Sequence, residues 1–130
     1  MADTEVRAFR SKDGSVQLFW WLVKLNVKKT RSIRKKCIAR IRDLEREGFK
    51  LQPPLAKPLR DGIHELRPKT GHVNYRMLYF FHNHKAVITH GLTKEKEVPY
   101  EDIEYAIYCR KLVESDEDAY TVAIPRELFQ

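Results

Sequence analysis

Two strand-like runs, VNYRMLYFF (residues 73–81) and AVITHGL (86–92), carry cations inside them or at their ends: Arg67, Arg76, Lys94 and Lys96. Arginine presents a planar fork that matches phosphate oxygens and stays protonated. Clustered lysines repel one another, which lowers a lysine pKa and makes the amine usable as a base. Neighbouring strands lie about 4.8 Å apart, so cations from three adjacent strands meet at one phosphate if their registers agree. Such a gathering suits the negative charge of a phosphate.

The elements that must position these residues read as follows. Residues 6–10 form a short strand, and SKDG (11–14) is turn chemistry. A helix over 15–25 places Leu18, Phe19, Trp21, Leu22 and Leu25 inward. A longer helix over 30–47 carries the stripe Ile33, Cys37, Ile41 and Leu44, with Gly48 as its C-cap. QPPLAKP is an extended connector. Residues 59–67 read as strand–turn–strand about Asp61-Gly62. The run 73–81 puts Tyr75, Met77, Tyr79 and Phe81 on one face and Arg76, Leu78 and Phe80 on the other. It turns at His82-Asn83-His84 and returns over 86–92 as an antiparallel hairpin. Pro99 opens a last helix over 100–113. ESDED (114–118) ends it, and 120–130 forms a strand and short helical turn or stays mobile. This order predicts an α+β fold, a small twisted antiparallel sheet with helices packed on one face.

The chain has 130 residues, which suits one domain. Its net charge of +7 favours a polyanionic partner, nucleic acid or an acidic protein. The opening MADTEVRAFRSKDG does not resemble a signal peptide, and no apolar run approaches membrane-spanning length. Cys37 and Cys109 read as buried thiols of a reducing cytoplasm. Lys28, Lys29, Arg31, Arg34, Lys35 and Arg42 make the second helix strongly cationic, either a solvated face or a surface that grips phosphates or an acidic partner. No phosphate-binding glycine loop is present, so no nucleotide cofactor is expected. His82 and His84 lack an accompanying Cys or carboxylate cluster, and no metal site is expected.

Several linked segments resemble the RelE/HigB superfamily of toxins from bacterial toxin–antitoxin modules, and most of all its phage-derived HigB-like branch. They are KPLRDGIHELR (57–67), YRMLYF (75–80), HGLTKEK (90–96) and the helix opened by Pro99. VRAFRSKDGS is similar to that branch's first strand and turn, and the likeness spans about residues 5–113. It divides the chain into a toxin domain over 1–113 and a tail over 114–130. The resemblance implies a ribosome-dependent mRNA endonuclease, neutralised by a small antitoxin that often carries a helix-turn-helix. Such an enzyme cuts RNA through its own 2′-hydroxyl and needs no metal.

By the resemblance, Arg76 matches the family's strand arginine, for transition-state charge. Arg67 falls at a basic position on the preceding strand. Lys94 and Lys96 match a pair of basic residues, although Glu95 interrupts them here. Some relatives use histidine as acid or base, which makes His64 and His90 candidates. Tyr100 could stack on an unpaired base, and the basic helix would contact ribosomal RNA. Two other readings stay open: a gyrase-targeting toxin of the same fold, and a catalytically degenerate toxin-like binding protein. Homo- or hetero-oligomerisation is also open.

Overall fold

The computed structural model describes residues 3–68, 75–93 and 97–129. Lys94 and Lys96 therefore lie outside the described residues.

The elements run β1 (Glu5–Phe9), α1 (Gln17–Lys24), α2 (Arg31–Glu47), β2 (Ala56–Arg60), β3 (Ile63–Leu66), β4 (Tyr75–His82), β5 (Lys85–Thr93), α3 (Tyr100–Ser115), α4 (Glu117–Tyr120) and β6 (Thr121–Ala123). Among the described residues the six strands form one sheet in the order β2-β3-β4-β5-β1-β6. Every neighbouring pair is antiparallel except β1 with β5. The α+β class and the mostly antiparallel sheet agree with the sequence reading.

Alternation along the strands divides the core in two. Val6, Ala8, Leu66, Met77, Tyr79 and Ile88 meet Leu18 and Leu22 of α1 and Cys37, Ile41 and Leu44 of α2. Phe9, Ile63, Leu78, Phe80, Val87 and Leu92 meet Ala106, Cys109 and Val113 of α3. Helices α1 and α2 share one face, as expected, while α3 covers the other. The reason lies in β4 and β5, which are apolar on both sides, so Leu78, Phe80 and Val87 also need a cover.

The turns follow their residue types. Asp61 and Gly62 have φ of 52° and 77°, and Asn83 and His84 have φ of 48° and 63°. Positive φ at both central residues is what a type I′ two-residue hairpin requires. Gly91 of β5 lies against the Trp21 indole, where a Cβ would come within 2.2 Å of the ring. Trp21 Nε1 also donates to Thr93 Oγ1 at 3.3 Å, tying α1 to the end of β5.

The segment after residue 113 is built into the same sheet. β6 pairs with β1, and Arg10 donates to the carbonyls of Asp118 and Ala119. Lys85 Nζ lies 3.0 Å from Glu117 Oε2. The final turn, Arg126–Phe129, packs beside α2, where Arg42 Nη2 donates to the Phe129 carbonyl at 2.9 Å. No helix among the described residues is long and apolar enough to cross a membrane.

Candidate functional site

A cleft of about 270 Å³ opens on the α3 face. It is lined by Lys57, Pro58, Leu59 and Arg60 of β2, by Glu65, Arg67 and Arg76, and by Glu97, Val98 and Ile103 near the start of α3. Four cations and two carboxylates thus border one space.

Strand register explains the gathering. Glu65 pairs with Leu78, so Arg76 is its diagonal neighbour on the same face of β4. Arg67 follows β3 two residues after Glu65 and points the same way by alternation. Arg76 Nε lies 2.7 Å from Glu65 Oε1, and Arg67 Nε lies 3.2 Å from the same oxygen. Arg67 Nη2 also donates to Glu65 Oε2 at 3.4 Å. The Glu65 side chain is 3% exposed and that of Arg76 is 9% exposed. One buried carboxylate therefore serves two guanidiniums, and the two arginines expected to converge do so.

Two single-residue bulges decide which other groups share this face. The β2–β3 ladder shifts between Pro58 and Arg60, leaving Leu59 as the extra residue. Lys57 is thereby set opposite Glu65. A second shift leaves Thr89 extra on β5 and sets His90 opposite Leu78. Lys57, Glu65, Leu78 and His90 consequently form one row across four strands.

His90 does not reach into the cleft. Its Nε2 lies 2.9 Å from Asp102 Oδ1 and its Nδ1 2.8 Å from Thr89 Oγ1. Its ring stands edge-on to Tyr105. Burial lowers its pKa, and the Asp102 carboxylate opposes that shift. The side chain thus links β5 to the first turn of α3. His64 points to the opposite face of the sheet, where it stacks on Tyr79 with centroids 5.1 Å apart. Burial lowers its pKa as well.

Tyr100 sits at the rim, exposed, with the Arg60 guanidinium 5.2 Å from its ring centroid. Arg60 itself bridges Asp61 and Glu104, each at 2.6 Å, and those two hydrogen bonds raise its pKa. The cations of α2 lie on the other side of the sheet. Arg34, Lys35 and Arg42 border a shallow groove of about 310 Å³ with Ile38, Ala39 and Phe129. Arg31 begins α2, and Lys28 and Lys29 precede it. Among the described residues, no group of three or more His, Cys, Asp or Glu side chains could hold a metal ion.

Sequence reasoning missed Lys57 and Glu65 as members of the site. Both stand in the quoted KPLRDGIHELR segment, which was their only signal.

Residues 21–111, well over half of the chain, match the model of a family described as "Phage derived protein Gp49-like (DUF891)". The chain belongs to the Gp49-like family. This is a family of the RelE/HigB-like toxin kind, which agrees with the resemblance carried by KPLRDGIHELR and YRMLYF. No curated protein matches the chain significantly. The matched span runs from α1 into α3 and includes every residue lining the Gp49-like cleft.

Proposed function

We propose that this Gp49-like protein is the toxin of a type II toxin–antitoxin pair of the HigB branch. It acts as a metal-independent endoribonuclease on messages held by the ribosome. In this reading the cleft on the α3 face receives the scissile phosphodiester. The message's 2′-hydroxyl gives up its proton to water and attacks the adjacent phosphorus, forming a 2′,3′-cyclic phosphate as the bond to the 5′-oxygen breaks and that oxygen takes a proton from water. Arg76 and Arg67 offset the charge that builds on the phosphoryl oxygens. Lys94 and Lys96 come next in the chain after β5 and, by the resemblance, add positive charge to the reaction. The cations of α2 hold ribosomal RNA from the opposite side of the sheet. The protein works in the cytoplasm and is neutralised by an antitoxin.

The observation that carries this reading is the meeting of Arg67 and Arg76 on one buried carboxylate at the wall of an open cleft. A second reading, a degenerate toxin-like binding protein, draws on the same contact, because Glu65 already holds the guanidinium of Arg76.

Induction of the chain alone, with sequencing of transcript ends, separates the two. The nuclease reading expects growth arrest and new 5′ ends inside translated frames, both relieved by Arg76→Ala. Arrest with intact transcripts and damaged DNA would instead indicate a gyrase target. Unimpaired growth would indicate the degenerate binding protein.

A further inference from the structure

A negatively charged side chain in the wall of a cleft that must receive a phosphate opposes the ligand. Glu65 is such a group, and it is among the few charged side chains buried in this fold. Its position is fixed by the ladder on both sides, opposite Lys57 on β2 and Leu78 on β4. Oε1 is engaged by ion-pair proximity, 2.7 Å from Arg76 Nε and 3.2 Å from Arg67 Nε, while Oε2 accepts a hydrogen bond from Arg67 Nη2 at 3.4 Å.

We infer that Glu65 is a positioning residue that holds the guanidiniums of Arg67 and Arg76 toward one phosphodiester. This rests on the nuclease reading given above. The contacts involve Nε, the nitrogen nearest the side-chain stem. An ion pair there narrows the range of rotamers open to each arginine, and the Nη2 hydrogen bond orients Arg67 further. Two long cations so close also repel, and a shared anion between them holds both in place. The carboxylate therefore costs some affinity for the anion and reduces the reorganisation needed when charge develops on it. Glu65 touches no reacting atom in this scheme and acts only through the arginines.

The substitution Glu65→Gln separates this role from its competitors, because it keeps shape and removes charge. Three quantities are read: cleavage under single turnover on programmed ribosomes, affinity for the same complex with a message 2′-deoxy at the cleavage site, and the NMR signals of the Arg67 and Arg76 Nε–H groups. The expected result is cleavage slowed by about 30-fold or more, affinity unchanged or a few-fold tighter, and Nε–H signals broadened by exchange with water. Glu65→Asp, which keeps the charge but retracts it, should give a smaller loss of rate and serves if Glu65→Gln does not fold.

Cleavage at or above the wild-type rate in Glu65→Gln would overturn the inference, since the carboxylate would then only oppose the anion. Parallel loss of affinity, rate and thermal stability in both variants would also overturn it, leaving Glu65 a structural residue. A wild-type chain that cleaves no message would remove the nuclease reading itself, a result distinct from either.

Discussion

Arg76 Nε lies 2.7 Å from Glu65 Oε1, across one strand and one step off the direct pairing of Glu65 with Leu78. This diagonal contact joins charged residues of two neighbouring strands, on the sheet face where the cleft opens beside α3. Arg67 shares the carboxylate, and the consequences of that sharing can be measured.

Removing Arg76 should harm both function and stability. Arg76→Ala is expected to slow message cleavage on the order of 10²–10³-fold, the scale for losing one preorganised charge-stabilising donor. It should also lower stability, toward the low end of the roughly 3–5 kcal/mol seen when a buried pair loses one partner, because Arg67 still engages Glu65. Arg76→Lys keeps the charge without the fork and should recover stability more than rate. Single-turnover cleavage and urea unfolding check the two effects separately; equal rates in Arg76→Lys and wild type would remove the argument from guanidinium geometry.

Lys57 faces the cleft because of the bulge at Leu59. If the message runs through that cleft, Lys57→Ala should reduce the slope of log affinity against log salt by about 0.7, the value for one contact to a single strand. Lys111→Ala, a substitution on α3 outside the residues lining the cleft, should leave the slope unchanged. Identical slopes for wild type and Lys57→Ala would place the path of the message elsewhere.

Gly91→Ala should destabilise the fold. The added methyl would lie 2.2 Å from the Trp21 ring, so the indole must move. Forced overpacking of this kind costs about 1–3 kcal/mol. The shift should appear as a lower thermal midpoint and as a changed Trp fluorescence maximum. A variant matching the wild type in both would mean that α1 yields freely against β5.

Stability should fall with acid below neutrality. Burial lowers the pKa values of His64 and His90 from an ordinary value near 6.5, and for His90 the Asp102 carboxylate resists the shift. A histidine that resists protonation when folded binds fewer protons than the unfolded chain. Its contribution is thus complete above about pH 6.5 and is lost as pH falls through the lower folded-state value. Urea midpoints at pH 7.5 and 5.5 should show the lower value at 5.5. His64→Phe should flatten the difference, and a midpoint that rose on acidification would contradict the assignment.

The sequence by itself determined the pieces and most of their faces. The spacing of Leu18 and Leu22, and of Cys37, Ile41 and Leu44, marks the buried sides of α1 and α2, because a helix turns through 3.6 residues wherever it packs. Asp61-Gly62 specifies its turn through a backbone conformation that few residues tolerate. Alternation in YRMLYF sets Arg76 on the face of Leu78 and Phe80, since strand geometry leaves no other choice.

The tertiary structure alone decided the membership of the cleft. Counting back from Asp61-Gly62 pairs Lys57 with Leu66, and counting from Asn83-His84 pairs His90 with Met77, both facing α1 and α2. The extra residues at Leu59 and Thr89 move each by one position, opposite Glu65 and Leu78, and so onto the α3 face. A one-residue slip reverses the face of every side chain beyond it, yet a bulge is chosen by packing across strands and helices and has no compulsory local signature here. For the same reason α3 could not be assigned a side of the sheet in advance: its stripe marks an apolar face, but which surface receives that face depends on contacts with residues distant in the chain.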